Sequence, residues 1–317
     1  MGDSDISSGW AGSVSARTGW RAGEGLGVLA AVLSSSLGGT NTAVTRFAIG
    51  AVDPSTLSAL RFGLGFLLLV PVALLLKARW PQRADWPGVA ALGILFFGIF
   101  QGVFAWALVY TTAARGALAL ATLPLVTMTV AALLRAEPLT ARKTLGVLIA
   151  IAGVAIALIS GLAAAPAGAW RGDLIMLAGT LCFAVYNVWS RPFIARSSPL
   201  AFVTIGMGAG SAAIGVVAWA AGGLAAAGGF GWPQWTAILY LGASGGALTF
   251  FLWVLALERT TPTRVANTIT LNPVTAALLA ALLIGEPIGL NLLVGVAGVG
   301  IGIWLASTHA RALLARS

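Results

Sequence analysis

Long apolar runs separated by short polar stretches make up nearly the whole chain. Ten runs stand out, at 25–46, 54–76, 87–110, 113–134, 139–160, 173–190, 200–221, 234–257, 263–284 and 288–307. A helix rises about 1.5 Å per residue, so runs of this length can cross a hydrocarbon core about 30 Å thick. Transmembrane strands would alternate apolar and polar positions over segments about half as long. These runs are continuous, so helices are predicted throughout. Several starts are marked chemically, at Asp53-Pro54, Glu137-Pro138, Ser198-Pro199 and Glu286-Pro287. Proline in the first turn loses no hydrogen bond, and a carboxylate ahead of it faces the positive end of the new helix. Glu137 and Glu286 accordingly read as caps of the helices that follow them, at the membrane surface.

The pattern occurs twice. Residues 111–153 and 260–302 superpose without a gap, pairing Thr111 with Thr260, Arg115 with Arg264, Pro124 with Pro273, Glu137 with Glu286, Pro138 with Pro287 and Gly153 with Gly302. Leu and Ala match by chance in so apolar a chain, but aligned Arg, Glu, Gly and Pro signal a duplication. The first and sixth runs correspond as well: Asn41 falls near Tyr186 and Asn187, Arg46 meets Arg191, and Asp53-Pro54 meets Ser198-Pro199. The predicted fold is an all-α integral membrane protein of ten transmembrane helices. One five-helix repeat covers 25–161 and a second covers 172–308, together forming one transmembrane domain. Five is odd, so repeats joined by one short linker lie in opposite orientations, the inverted arrangement of many secondary transporters.

Composition agrees with a membrane protein. Of 317 residues, 59% are apolar and 9% charged, with a mean hydropathy of +0.96, too little polarity to cover a soluble globule. The net charge of +9 reads as an insertion signal, not as nucleic-acid binding. With the N-terminus inside, every Lys and Arg falls in a cytoplasmic segment except Arg46, Arg115 and Arg171 outside and Arg61 within a helix. That asymmetry obeys the positive-inside rule and predicts both termini in the cytoplasm. Residues 1–24, Gly- and Ser-rich and without apolar periodicity, read as a disordered cytoplasmic tail. Trp80, Trp86, Trp170, Trp232 and Trp235 stand at predicted helix ends as an interfacial belt. Gly146 and Gly153 with Gly295, Gly298 and Gly302 predict close packing of the fifth and tenth helices. The segment AGGLAAAGGFGWPQW reads as a flexible outer loop, and the single cysteine, Cys182, permits no internal disulfide.

The acidic residues, Asp3, Asp5, Glu24, Asp53, Asp85, Glu137, Asp173, Glu258 and Glu286, all avoid the middle third of a predicted helix. His309 is the sole histidine, so no metal cluster can be assembled, and no acid, base or cofactor site for an intramembrane enzyme is expected. The helix middles instead carry neutral polarity and aromatics. Ser36, Thr40 and Asn41 lie on the first helix, Gln101 and Phe104 on the third, Tyr186 and Asn187 on the sixth, Trp253 on the eighth and Asn272 on the ninth. Polar groups at mid-depth on several helices either glue the bundle by hydrogen bonds or converge on a cavity. Arg61 has three open roles: snorkelling outward, holding loose backbone carbonyls of a neighbour, or meeting a substrate carboxylate.

The Asn41 helix, the Pro54 to Arg61-Phe62 segment and the twice-occurring Pro…Glu-Pro…Gly unit resemble the EamA family of the drug/metabolite transporter superfamily, over about 25–308. The resemblance implies a multi-pass protein of the bacterial inner membrane, exporting metabolites through a cavity built on helices one, three, four, six, eight and nine. It looks closest to amino-acid exporters of the YddG kind. The predicted partners are a small solute, taken to be an amino acid, and the lipid bilayer; a monomer suffices. Two other readings are export of cationic drugs, which calls for a buried carboxylate that this chain lacks, and a scaffold that transports nothing.

Overall fold

The computed structural model describes residues 7–49, 51–111, 113–137, 139–157, 167–272, 274–275 and 290–307. Among the described residues the regular structure is helical and contains no strand. Among the described residues, five helical stretches are long and apolar enough to cross a bilayer: Pro54–Leu75, Arg83–Tyr110, Trp170–Arg196, Pro199–Ala220 and Trp232–Arg259. Shorter apolar helices accompany them.

In chain order, α1 is Ser7–Ala48 and α2 is Pro54–Leu75. The third stretch divides into α3 (Trp86–Gly93), a π-helical segment Ile94–Phe100 and α4 (Gln101–Tyr110). Then come α5 (Ala113–Leu120), α6 (Leu123–Leu133) and α7 (Ala141–Ala157). They are followed by α8 (Trp170–Arg196), α9 (Pro199–Ala220) and the single turn α10 (Gly223–Ala226). After α11 (Trp232–Tyr240) a second π-helical segment, Leu241–Leu248, leads into α12 (Thr249–Arg259). The last elements among the described residues are α13 (Pro262–Asn267), a 3-10 turn Thr268–Thr270 and α14 (Leu290–Ser307).

The marked helix starts hold at two places. Asp53 caps α2 by accepting from the Thr56 N–H at 2.9 Å, and Ser198 caps α9 by accepting from the Ala201 N–H at 3.3 Å. Partial burial works against ionisation of Asp53, but hydrogen bonds from Ser55 and Thr56 outweigh it and hold the carboxyl below its ordinary value.

Elsewhere the structure corrects the sequence reading. Residues 7–24, expected as a disordered tail, continue α1. No proline interrupts 7–48, and extending an existing helix avoids the cost of nucleation. Glu24 is also tied by an ion pair to Arg264 of α13. The run 113–134 is two helices, broken at Ala121 and Thr122. Pro124 has no N–H to give, and its ring crowds the carbonyl of Leu120. The loop after α9, expected to be flexible, carries α10 and a 3-10 turn, entered through Gly222 in the left-handed region (φ 76°). The cap predicted at Glu286 lies outside the described residues.

Glycine lets backbones meet. A Cβ on Gly153 would stand 2.7 Å from the Val299 nitrogen, and one on Gly302 would stand 2.5 Å from the Gly146 oxygen, so α7 and α14 touch through their main chains. The first π segment packs on α9 at Gly93, Gly206 and Gly210, and the second packs on α2 at Gly65 and Gly246. The core between these pairs is aromatic. Phe96 stacks on Tyr186 with centroids 4.2 Å apart, and Phe62, Phe97, Phe183 and Phe250 close round them. Trp80, Trp86, Trp170, Trp232 and Trp235 are all exposed.

Candidate functional site

Beside this aromatic core, four polar side chains from separate elements border one cavity. Asn41 comes from α1, Arg61 from α2, Gln101 from the first turn of α4 and Asn272 from the chain just after the 3-10 turn. Phe100, Phe104, Phe183, Phe250 and Trp253 give it an aromatic side, and Ser34, Ser35, Thr42, Thr45 and Thr249 add hydroxyls. The volume is about 60 Å³. At about 10–15 Å³ per water, that is room for a few water molecules or for the polar head of a small solute.

The π segments explain why polar groups gather here. A π turn spoils the regular i to i−4 ladder and re-aims the residues after it, and its loosened carbonyls need other donors. Thr249 Oγ1 donates to Ser244 O at 2.7 Å, and Ser34 Oγ donates to Thr249 O at 2.7 Å. Arg61 Nη2 donates to Gly245 O at 3.0 Å, while its guanidinium lies 4.7 Å from the Phe62 centroid. Of the three roles open to Arg61, holding a neighbour's backbone carbonyl is therefore observed. Asn41 Nδ2 donates to Thr249 Oγ1 at 3.1 Å.

Six of the ten residues singled out in sequence border the cavity: Asn41, Arg61, Gln101, Phe104, Trp253 and Asn272. The other four stand elsewhere. Asn187 lies behind the wall, where its Oδ1 accepts from Trp253 Nε1 at 2.9 Å. Tyr186 is buried under Phe96. Thr40 shares a 2.6 Å hydrogen bond with the Tyr240 hydroxyl, and Ser36 offers its carbonyl to Thr275 Oγ1 at 3.2 Å. Lining residues that sequence reasoning passed over include Thr45, Phe100, Leu120 and Ile269. Thr45 falls one turn after Asn41 and was open to helical spacing, whereas the apolar three carry no signal separating a cavity wall from core.

Glu137 behaves differently from its predicted role. Its Oε2 pairs with Lys143 Nζ at 2.8 Å, and its Oε1 accepts from the Thr263 N–H at 3.1 Å. It thus caps α13, far along the chain, rather than the helix beginning after Pro138. The reason is vacancy: Thr261 at the N-cap of α13 makes no side-chain cap.

These features define a polytopic helical membrane protein built around a small polar and aromatic cavity. The EamA-like transporter family matches residues 25–159 and 170–308, and the chain belongs to it. It is 33% identical over 266 residues to an uncharacterized protein of Pseudomonas aeruginosa, covering 83% of this chain and 88% of that one. It is 26% identical over 262 residues to a "probable terminal-alkyne amino-acid exporter" of Streptantibioticus cattleyicolor, covering 80% of this chain and 84% of that protein. A solved crystal structure shares the fold with a TM-score of 0.71 and 22% identity, over 93% of this chain and 99% of its own.

Proposed function

We propose that this transporter carries amino acids or related small zwitterionic metabolites across the bacterial inner membrane by alternating access, as an exporter or facilitator. One observation carries the reading: a buried guanidinium and uncharged amides share a small cavity with an aromatic wall. Such a lining suits a carboxylate, a hydrogen-bonding amino group and an apolar side chain. The amino-acid exporter name of the Streptantibioticus cattleyicolor relative points the same way. The proposed site comprises the six cavity residues, with Ser36, Thr40, Tyr186 and Asn187 behind or beside them. Cationic drugs fit less well, because no acidic side chain is among the described residues that line the cavity.

Two inverted five-helix repeats, over 25–161 and 172–308, are the proposed framework. Reciprocal contacts support it: the first π segment packs on α9 and the second on α2. With both termini in the cytoplasm, α1 runs outward and gives the cavity its Ser34 to Thr45 stretch. The cavity then belongs to the outer half, and the bridges Glu24–Arg264 and Glu137–Thr263 close the cytoplasmic half. Purified protein in liposomes, given each of the twenty radiolabelled amino acids in turn, tests the proposal. Saturable flux of at least one is expected; no flux of any would sink it.

A further inference from the structure

We propose that the cavity selects its solute by a free carboxylate received at Arg61, and that a 2-hydroxyl can replace the 2-amino group. The inference rests on the transport reading for its physiological meaning and deepens it to a substrate class, the 2-amino and 2-hydroxy acids.

The first support is an uncompensated charge. Arg61 is 7% exposed, and among the described residues it has no acidic partner. A guanidinium carries five N–H donors. Two are engaged, both by neutral oxygens: Gly245 O at 3.0 Å and Thr45 Oγ1 at 3.5 Å. A buried ion without a counter-ion is costly, and a ring face at the Phe62 distance offsets only part of that cost. An anionic group entering the cavity supplies what the protein leaves out. A second cation brought to the same wall would be repelled.

The second support is the chemistry of the acceptors nearby. Asn41 Oδ1 and Asn272 Oδ1 are buried and have no hydrogen-bond partner. Asn41 Oδ1 and Arg61 Nη2 both lie 2.9 Å from the point where a Cβ on Gly245 would stand. Asn272 Oδ1 lies 2.9 Å from the corresponding point on Gly38, about one turn along α1 from Asn41. A donor next to a carboxylate therefore finds amide carbonyls waiting. Those carbonyls are neutral, so they complete a hydrogen bond but do not balance the charge of an ammonium. A hydroxyl donor satisfies them equally and gives up less hydration on entry. The glycines at 38 and 245 are required for this geometry, since a methyl group at either would collide with the amide it faces.

The test uses the full chain purified in detergent and four probes matched to valine: L-valine, (S)-2-hydroxy-3-methylbutanoate, valine methyl ester, and isobutylamine, which is valine without its carboxyl group. The readout is thermal stabilisation as a function of probe concentration, which follows binding whether or not transport occurs. The two acids are expected to stabilise the protein with apparent affinities within about tenfold of each other, and the ester and amine are expected to give no shift. In Arg61→Gln, if it folds, the acids should bind roughly tenfold to a hundredfold more weakly, as for loss of a charge-assisted hydrogen bond. Equal stabilisation by amine or ester, binding of the amino acid without the hydroxy acid, or no shift with any probe overturns the proposal. If the probes sort by carboxylate while the liposome panel shows no flux, the transport reading fails and this one stands.

Discussion

Trp253 shows how a side chain can serve packing and cavity at once. Its ring borders the cavity, and its indole N–H is held by Asn187, an amide with no exposure to solvent. Asn187 Nδ2 has no partner, so the hydrogen bond from Trp253 is what the amide has. Trp253→Phe should lower stability by about 1–3 kcal/mol, because it strands a buried polar group. Adding Asn187→Leu should return much of that loss, since removing both partners of a buried hydrogen bond is close to neutral. Melting curves of the two single variants and the double variant give the coupling; simple additivity would show that the two side chains do not act as a pair. At this scale the sequence marks rare residue types, four of which border the cavity. Asn41, Arg61, Gln101 and Asn272 stand out in apolar runs because lipid does not tolerate them. It could not separate facing the cavity from standing behind it, as Tyr186 and Asn187 do, because both places are enclosed and shielded from lipid.

Among the elements, α13 carries the sharpest expectation. It is short, starts at Pro262, and takes its cap from Glu137 in the turn after α6. Glu137→Ala removes that cap and leaves Lys143 unpaired in a largely buried place, which should cost about 3 kcal/mol or more. Glu137→Gln keeps an acceptor for the Thr263 N–H and should cost distinctly less than the alanine. Chemical or thermal unfolding in detergent ranks the two; equal losses would mean that the cap contributes nothing. The α7 and α14 pair makes a second case. Gly153→Leu has no space to enter, because a Cβ alone would meet backbone atoms at 2.7–2.8 Å. Expression of folded protein should fall steeply, whereas Gly300→Leu, where nothing lies within 4 Å, should leave it nearly unchanged. The closeness of these two helices was legible from their glycine spacing. The π segments were not, since they depend on which hydroxyls and guanidinium arrive from other helices to take the loosened carbonyls.

For the whole molecule the open matter is what drives movement of solute. Proton-coupled carriers place an ionisable group near mid-depth, where it can exchange its proton between the two sides. Among the described residues no carboxylate lines the cavity, and Glu258 is paired at the end of α12 with Arg259 at 3.1 Å. Counterflow in proteoliposomes should therefore proceed without any ion gradient. An imposed pH gradient that accumulates solute several-fold, with Glu258→Gln abolishing accumulation while sparing counterflow, would identify a coupling carboxylate and overturn the expectation.

By itself the sequence determined that the chain is helical and lives in a membrane, where α2 and α9 begin, and that a unit is duplicated. These properties depend on hydrophobic length, capping chemistry and internal likeness, all of which are local or directly readable. Tertiary structure alone decided that Glu137 caps α13, that Arg61 holds Gly245 O, and which polar side chains share the cavity. Each of these depends on groups far apart in the chain that meet only when helices pack, and on backbone donors and acceptors that must find partners wherever water is excluded.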